Sequence, residues 1–196
     1  MYWNDMESYA LFLADHPVDQ SILETVLTEN LGAPYELYLT EAGRGVISSE
    51  ADLKTLFDSL LPILSDDLHQ PLTILITHRS DTLSEAALNF CHRHKKGRCL
   101  MLAEAVILAY LNHEPKLTTL AEHYFDDVSF EAMATAKAFV STGLNASRVA
   151  QKLYLHRNTV NYRLQKFIEQ SGLDIRDYHN AQLLYFCTLI KENAIR

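Results

Sequence analysis

The sequence predicts a mixed fold, in which a small α/β domain is followed by an all-α domain that carries a helix-turn-helix. Two observations predict it. Apolar residues alternate between helical and strand-like spacing in the first half of the chain, but repeat only with helical spacing from Ser129 onward. The second observation is a basic window, residues 132–168, within an otherwise acidic chain. We expect an α/β domain with a sensory or dimerisation role over 1–115, a connector over 116–128 and a helix-turn-helix domain over 129–196.

The composition is typical of a protein with its own hydrophobic cores. At 196 residues and 48% hydrophobic, the chain is long enough for two small domains. Its most apolar stretch, Leu100 to Leu111, is shorter than the roughly 20 residues that a membrane-spanning helix needs. The N-terminus lacks the basic flank and apolar stretch of a secretory signal. We therefore expect a cytoplasmic protein with no membrane partner and with reduced cysteines.

The charge is divided unevenly along the chain. The formal net charge is −8, which by itself argues against a partner as acidic as a nucleic acid. However, residues 132–168 contain six Lys and Arg and no Asp or Glu, so the remainder of the chain carries −14. Such asymmetry is typical of a local binding surface for a polyanion, although a basic face on a surface helix could also produce it.

The first third of the chain is predicted to form a helix and a hairpin. Ser21 and Glu24 have the spacing of a capping box and precede apolar residues that share one helical face. Tyr35 to Thr40 alternates like a strand. A glycine-containing turn over 41–45 then leads into a second β-rich segment, which predicts that the two strands pair.

The next segments are predicted to be helix, strand and helix. Leucines with helical spacing predict a helix from Glu50 to about Leu61, which Pro62 would end or kink. Leu72 to Thr77 is a short β-rich run and predicts a buried strand. A second capping box, Thr82 with Glu85, predicts the start of another helix, and the apolar stretch already described predicts one more.

Three helices are predicted around the basic window, over about 130–141, 146–153 and from His156 or Arg157 to Gln170. Asn145 is a good N-cap for the second of them, and Gly172 would close the third. The second and third are joined by only a short connection, with Ala150 as the small residue where two crossing helices approach. Apolar residues flank the turn at the spacing of a helix-turn-helix: Val149, Leu153, Leu155, Val160 and Leu164.

The third helix would present side chains that read DNA bases. Arg pairs with guanine, and Asn and Gln make bidentate contacts with adenine. The candidates for base contact are Arg157, Asn158, Asn161, Tyr162 and Gln165. The candidates for phosphate contact are Arg148, Lys152, Thr159, Arg163 and Lys166. His156 is a further candidate that could instead cap the helix, and Tyr162 could instead lie in the core.

The segment Leu155-His-Arg-Asn-Thr-Val-Asn-Tyr-Arg-Leu164 closely resembles the HRNTVRYRL signature of the PucR/CdaR transcriptional regulators. The resemblance covers about residues 130–190 and includes Ser171-Gly-Leu-Asp-Ile175, which is similar to the T-G-L-D-L of that family. It implies a bacterial-type regulator that binds DNA through its C-terminal helix-turn-helix. Two departures stand out. Asn161 replaces an Arg that is frequent in the signature, and Tyr154 occupies a turn position where many helix-turn-helix proteins have Gly.

Other chemistries are weaker alternatives. Metal-binding residue types occur at Cys91, His92 and His94, with Cys99 and His78 nearby. Their spacing matches no standard pair of ligand motifs, so a basic helix end is the preferred interpretation. Asp126 and Asp127 could be catalytic carboxylates, but acids that precede the start of a helix more often cap that helix. We find no phosphate-binding glycine loop and no nucleophile elbow. We therefore expect no catalytic residue, no metal and no cofactor.

The expected partners are double-stranded DNA and a second copy of the chain. A single helix-turn-helix buries little surface, and most such proteins bind two half-sites about 34 Å apart. The apolar helix within Leu100–Leu111 is the candidate dimer seam. The sequence leaves open whether a small-molecule effector is a further partner. The rival interpretation is an interaction protein that retains this fold but does not bind DNA, because its acidic remainder repels phosphate.

Overall fold

The computed structural model describes residues 8–41 and 43–194, which divide between Leu117 and Thr118 into two compact units. The predicted fold class is confirmed, with an α/β unit followed by an all-α unit. In the first unit the elements in chain order are β1 (Ser8–Leu13), α1 (Gln20–Asn30), β2 (Tyr35–Glu41), β3 (Arg44–Ser49), α2 (Leu53–Asp67), β4 (Thr73–Thr77), α3 (Thr82–His94), β5 (Cys99–Met101) and α4 (Leu102–Leu111).

The strands of the first unit form a sheet in the order β2-β3-β1-β4-β5. β1 is antiparallel to both of its neighbours, and only β5 runs parallel to β4. Phe12 of β1 lies in a hydrophobic core together with Leu27 of α1 and Phe57 of α2. The helix α3 packs against β1 and β4. The hairpin predicted from the turn over 41–45 is confirmed as the β2-β3 pair.

Two strands were not predicted. β1 is buried along most of its length, so it has no polar alternation for a sequence pattern to detect. β5 includes Leu100 and Met101, the first two residues of the predicted apolar helix, and α4 therefore begins at Leu102 rather than Leu100. Both strands exist because they pair with β4, which lies far from β1 in sequence.

Both predicted capping boxes are wrong. The N-cap of α1 is Asp19, whose carboxylate accepts from the backbone N–H of Ser21 at 2.9 Å. The N-cap of α3 is Asp81, which accepts from the backbone N–H of Ser84 at 2.9 Å. Aspartate caps helices as well as serine does, and Ser21 and Thr82 already lie in the first turns.

The sequence predicted that Pro62 would end or kink α2, and the first alternative is wrong, because the helix continues to Asp67. Proline removes one backbone donor and leaves the carbonyl of Asp58 without its helical partner. Both residues are exposed, so water can bind that carbonyl. Buried leucines on the opposite face, among them Leu60 and Leu64, hold both halves of the helix in the core.

The second unit is helical. After α5 (Pro115–His123), within which the two units divide, it contains α6 (Phe130–Ser141), α7 (Ala146–Leu153), α8 (Arg157–Ser171) and α9 (Tyr178–Ala194). The helix α6 packs against α7, α8 and α9, and α7 packs against α8. The predicted helices over 130–141 and 146–153 are confirmed. Most of α5 lies within the 116–128 segment, whose role as a connector stays a prediction, as do the predicted domain bounds.

Across the part of the chain that the structure describes, no helix has both the length and the apolar character needed to span a bilayer.

Candidate nucleic-acid interface

The helices α7 and α8 form a helix-turn-helix that is held together by a small apolar core. Val149 of α7 and Val160 of α8 are fully buried, and Leu164 is almost so. The remaining predicted apolar positions, Ala150, Leu153 and Leu155, are half-buried. The backbone N–H of Leu155 donates to the carbonyl of Ala150 at 2.9 Å, which closes the turn onto α7. The helix α6 packs against both helices.

The helix ends are capped by the residues that the sequence predicted. The side chain of Asn145 accepts from the backbone N–H groups of Ser147 at 3.0 Å and Arg148 at 3.1 Å. His156 is the N-cap of α8, and its Nδ1 accepts from the backbone N–H of Asn158 at 3.2 Å. Gly172 closes α8 in the left-handed conformation, with φ of 71°. The predicted start and end of α8 are thereby confirmed within one residue.

The candidate base-reading residues all lie on the exposed surface of α8. Arg157, Asn161 and Gln165 are four residues apart and so follow one row along the helix. Asn158 and Tyr162 form the neighbouring row, and Tyr162 is 67% exposed, which excludes the core position. This surface therefore presents three amide side chains, one guanidinium and one phenol. Contact between any of them and DNA stays a prediction.

The candidate phosphate-binding residues surround that surface. Arg148 and Lys152 are exposed on α7, and the Lys152 ammonium donates to the Ser141 hydroxyl at 2.9 Å. Thr159, Arg163 and Lys166 are half-buried on α8. Within residues 8–41 and 43–194, none of the Arg and Lys side chains of α7 and α8 forms an ion pair. Their charge is therefore not cancelled locally by a carboxylate.

The N-terminal end of α8 is electropositive for two reasons. Its first turn contains no acidic residue and begins with Arg157. The unpaired N–H groups of a helix N-terminus carry a partial positive charge, so a cation there is unfavourable for the helix and favourable for an approaching anion. The side chain of His156 satisfies one of these N–H groups and leaves the end exposed. This arrangement can bind a polyanion.

One candidate was missed by the sequence analysis. Arg176 lies in the segment after α8 and lines a surface depression together with Asn145, Ser147, Arg157 and Asn161. Its Nε donates to both carboxylate oxygens of Asp174, at 2.8 and 2.9 Å, and this hydrogen bonding raises the pKa of the guanidinium. Because Arg176 is flanked by acids, a search for acid-free segments does not detect it. Only the fold brings it beside α8.

The alternative sites have ordinary structural explanations. His92 contacts the Thr73 hydroxyl through Nδ1 at 3.0 Å and the Asp15 carboxylate through Nε2 at 3.1 Å. Burial raises the pKa of the Cys91 and Cys99 thiols to about 12, so both stay protonated. The structure shows no group of three or more His, Cys, Asp and Glu that could hold a metal ion among its described residues.

Asp126 is not an N-cap, contrary to the sequence-based preference. It forms an ion pair with Lys191 of α9, and the ring of His123 contacts it at 2.8 Å. The hydrogen bond with Lys191 is the main cause of a lowered pKa of the Asp126 carboxyl, and the hydrogen bond with His123 lowers this pKa further. The N-cap of α6 is Ser129, whose backbone N–H and hydroxyl both donate to the side chain of Gln170 at 3.0 Å.

Comparison with known proteins identifies similarity in both sequence and fold. Residues 132–190 match the PucR C-terminal helix-turn-helix domain. The chain is 43% identical over 81 residues to the uncharacterized protein YxkF of Bacillus subtilis. The aligned segment covers 41% of this chain and 27% of that protein. It is 39% identical over 61 residues to the purine catabolism regulatory protein of the same organism. That aligned segment covers 31% of this chain and 11% of that protein. These matches thus cover less than a third of either relative.

A solved structure shares the fold along nearly the whole chain. The crystal structure of a regulator of polyketide synthase expression from Bifidobacterium adolescentis matches with a TM-score of 0.51. The match covers 97% of this chain and 82% of that one, at 17% sequence identity. At that identity the likeness concerns the fold alone.

Proposed function

We propose, from the PucR C-terminal helix-turn-helix domain that residues 132–190 form, that this chain is a transcriptional regulator that binds a specific sequence of double-stranded DNA. In this proposal α8 enters the major groove and α7 crosses the phosphate backbone. The chain would act in the cytoplasm, where the DNA is, and without catalysis. Its first unit would sense a signal or support dimerisation.

The observation that carries the proposal is the exposed surface of α8. Arg157, Asn158 and Asn161 are exposed on the first two turns, where a recognition helix contacts base edges. Arginine and asparagine form bidentate hydrogen bonds with guanine and adenine, respectively. The cations of α7 and α8 provide contacts with phosphate, which set the register of the helix on the duplex. The three candidates for base contact are exposed and so do not belong to the core of the unit.

Salt dependence tests whether the protein binds DNA at all. We expect affinity for sheared genomic duplex to fall steeply with salt, because each phosphate contact releases counterions. Lys166→Ala should weaken binding to all sequences alike and reduce the magnitude of the slope of log K against log salt by about 1. Fluorescence anisotropy across a salt series measures both quantities. Lys137→Ala is a matched control, because that lysine lies on α6 and pairs with Glu192.

The same titration decides the rival proposal. The remainder of the chain carries −14, and an interaction protein that retained only the fold would bind no duplex even at low salt. If the wild-type protein shows no binding at low salt, the DNA-binding proposal is rejected. If it binds, sequencing of genomic fragments that it selects would identify its operator.

We also propose that the regulator is a homodimer, with α4 in the interface. Leu111 is 65% exposed, and Ile107 and Leu108 are half-buried, although their neighbours on the helix lie in the core. We expect Leu111→Glu to dissociate the dimer, because the charge would have to be buried against a second apolar helix. Ile107→Glu should act likewise. Sedimentation velocity measures the change, and circular dichroism checks that the fold is intact.

A sedimentation coefficient unchanged by Leu111→Glu would exclude α4 from the interface. Ile63→Glu is a suitable control, since Ile63 is a similarly exposed apolar residue, at 54%, on α2 of the same unit. It should leave the oligomeric state unchanged.

A further inference from the structure

Tyr154, in the turn between α7 and α8, has a conformation that its own side chain makes unfavourable. Its φ of 53° and ψ of 42° place it in the left-handed region. There the Cβ of an L-residue crowds the backbone, and glycine is the residue without this penalty. The chain has Gly172 in the same conformation at the end of α8, whereas His69, His113 and Leu144 are other described non-glycine residues with positive φ. A glycine at position 154 would therefore serve the turn at least as well.

The side chain of Tyr154 receives nothing from the rest of the described chain that offsets this penalty. It is 96% exposed, the largest exposed fraction among the large hydrophobic residues. Its hydroxyl forms no hydrogen bond with residues 8–41 or 43–194, and its ring stacks on none of their aromatic rings. The turn is held by backbone hydrogen bonds, which the N–H groups of residues 154 and 155 donate. The side chain is thus free to contact a partner.

The position of Tyr154 indicates which partner. It directly precedes the segment Leu155-His156 that leads into α8, at the same end as Arg157 and Asn158. In a docked helix-turn-helix this end enters the major groove, while the preceding helix crosses the backbone. The turn that joins them then lies at the wall of the groove, which consists of sugar and phosphate. Tyrosine is among the side chains that bind phosphate oxygens in protein–DNA complexes.

We propose that Tyr154 is a DNA-backbone contact, in which its phenol donates a hydrogen bond to a phosphate oxygen at the wall of the major groove. This inference rests on the proposed function and adds to it one residue that contacts the DNA backbone. Because the contact is with phosphate, it contributes affinity without sequence preference. Because the phenol is uncharged, it releases no counterion and leaves the salt slope unchanged. These two properties together separate it from Arg157, which should discriminate sequences, and from Lys166, which should change the slope.

The test compares three tyrosine variants of the full chain by anisotropy, on sheared genomic duplex and on a selected specific duplex. Tyr154→Phe removes only the hydroxyl and should weaken binding to both duplexes by about three- to tenfold, with the salt slope unchanged. Tyr154→Gly should weaken binding at least as much, yet its melting temperature should not fall below that of the wild type. Tyr185→Phe, at an exposed tyrosine on α9, should change neither affinity nor melting temperature.

Each other outcome overturns the inference. Wild-type affinity for both Tyr154 variants would mean that the side chain does not touch DNA, while the proposed function would stand. A loss with Tyr154→Gly alone would replace the hydroxyl contact by a ring contact. A loss confined to the specific duplex would mean base contact. If the wild-type protein does not bind duplex, the proposed function fails first and this inference fails with it.

Discussion

Replacing Arg157 with alanine should weaken binding to the specific site by about 1–3 kcal/mol, while binding to random duplex changes much less. Arg157 is the first residue of α8 and is exposed at the end of the helix that would enter the groove. A bidentate contact with guanine has this magnitude, because the wrong base leaves hydrogen-bonding groups unpaired in the interface. Competition of specific and random duplexes in the same anisotropy assay measures the difference.

A structural role of Arg157 would have a different signature. A cation at a helix N-terminus is unfavourable to the helix, so Arg157→Ala should not lower the melting temperature of the protein. Arg93→Ala, at an exposed arginine of α3 that pairs with Glu114, is the matched control and should leave DNA binding unchanged. Equal losses on specific and random duplex would reassign Arg157 to the phosphate backbone. A lower melting temperature would make it a folding residue.

Replacing Phe167 with alanine should destabilise the second unit by about 3–5 kcal/mol, the usual range for a large aromatic residue in a core. Phe167 lies on the inner face of α8 and is fully buried, and its ring centroid is 5.7 Å from that of Phe125. The substitution leaves a cavity on the buried face of α8, whereas the surface that would meet DNA is on its exposed face. Since whole domains are stable by only about 5–15 kcal/mol, much of the unit's stability would be lost, and DNA binding with it at raised temperature.

Phe130 provides the matched control for this prediction. It is the same residue type in the same unit, on α6, but is 84% exposed. Phe130→Ala should change the free energy of unfolding by no more than about 0.5 kcal/mol. Because the chain has two units, amide hydrogen exchange of α6 to α8 is the appropriate readout, rather than a single melting curve. Similar loss of protection in both variants would contradict the assignment of Phe167 to the core.

Much of the candidate site could be predicted because its signals are local. The N-cap Asn145, the closing Gly172 and the apolar positions Val149 and Val160 act within a few residues of themselves, and the structure contains them as predicted. The exposure of Arg157 and Asn161 follows from the same helical period, since the buried residues of α8 take the opposite face. Arg176 could not be found this way, because its place beside Arg157 depends on the path of the chain after α8.

The first unit was less predictable because its sheet is built from distant segments. β1 pairs with β3 on one side and with β4 on the other, and neither partner is adjacent to it in sequence. The continuation of α2 past Pro62 likewise depends on the core beneath it, where Leu60 and Leu64 are buried. Local rules correctly predict the penalty at a proline, but tertiary packing outweighed it.

The sequence by itself determined the order of most helices, the helix-turn-helix and the charge asymmetry, because helix periods, caps and charges are properties of neighbouring residues. Tertiary structure alone decided the strand order, the inclusion of β1 and β5 in the sheet and the position of Arg176 and Arg157 around one surface depression. It also decided that Tyr154 has no partner within the described chain. The physical reason is that pairing and burial join residues that are far apart along the chain, and no local pattern specifies which of them will meet.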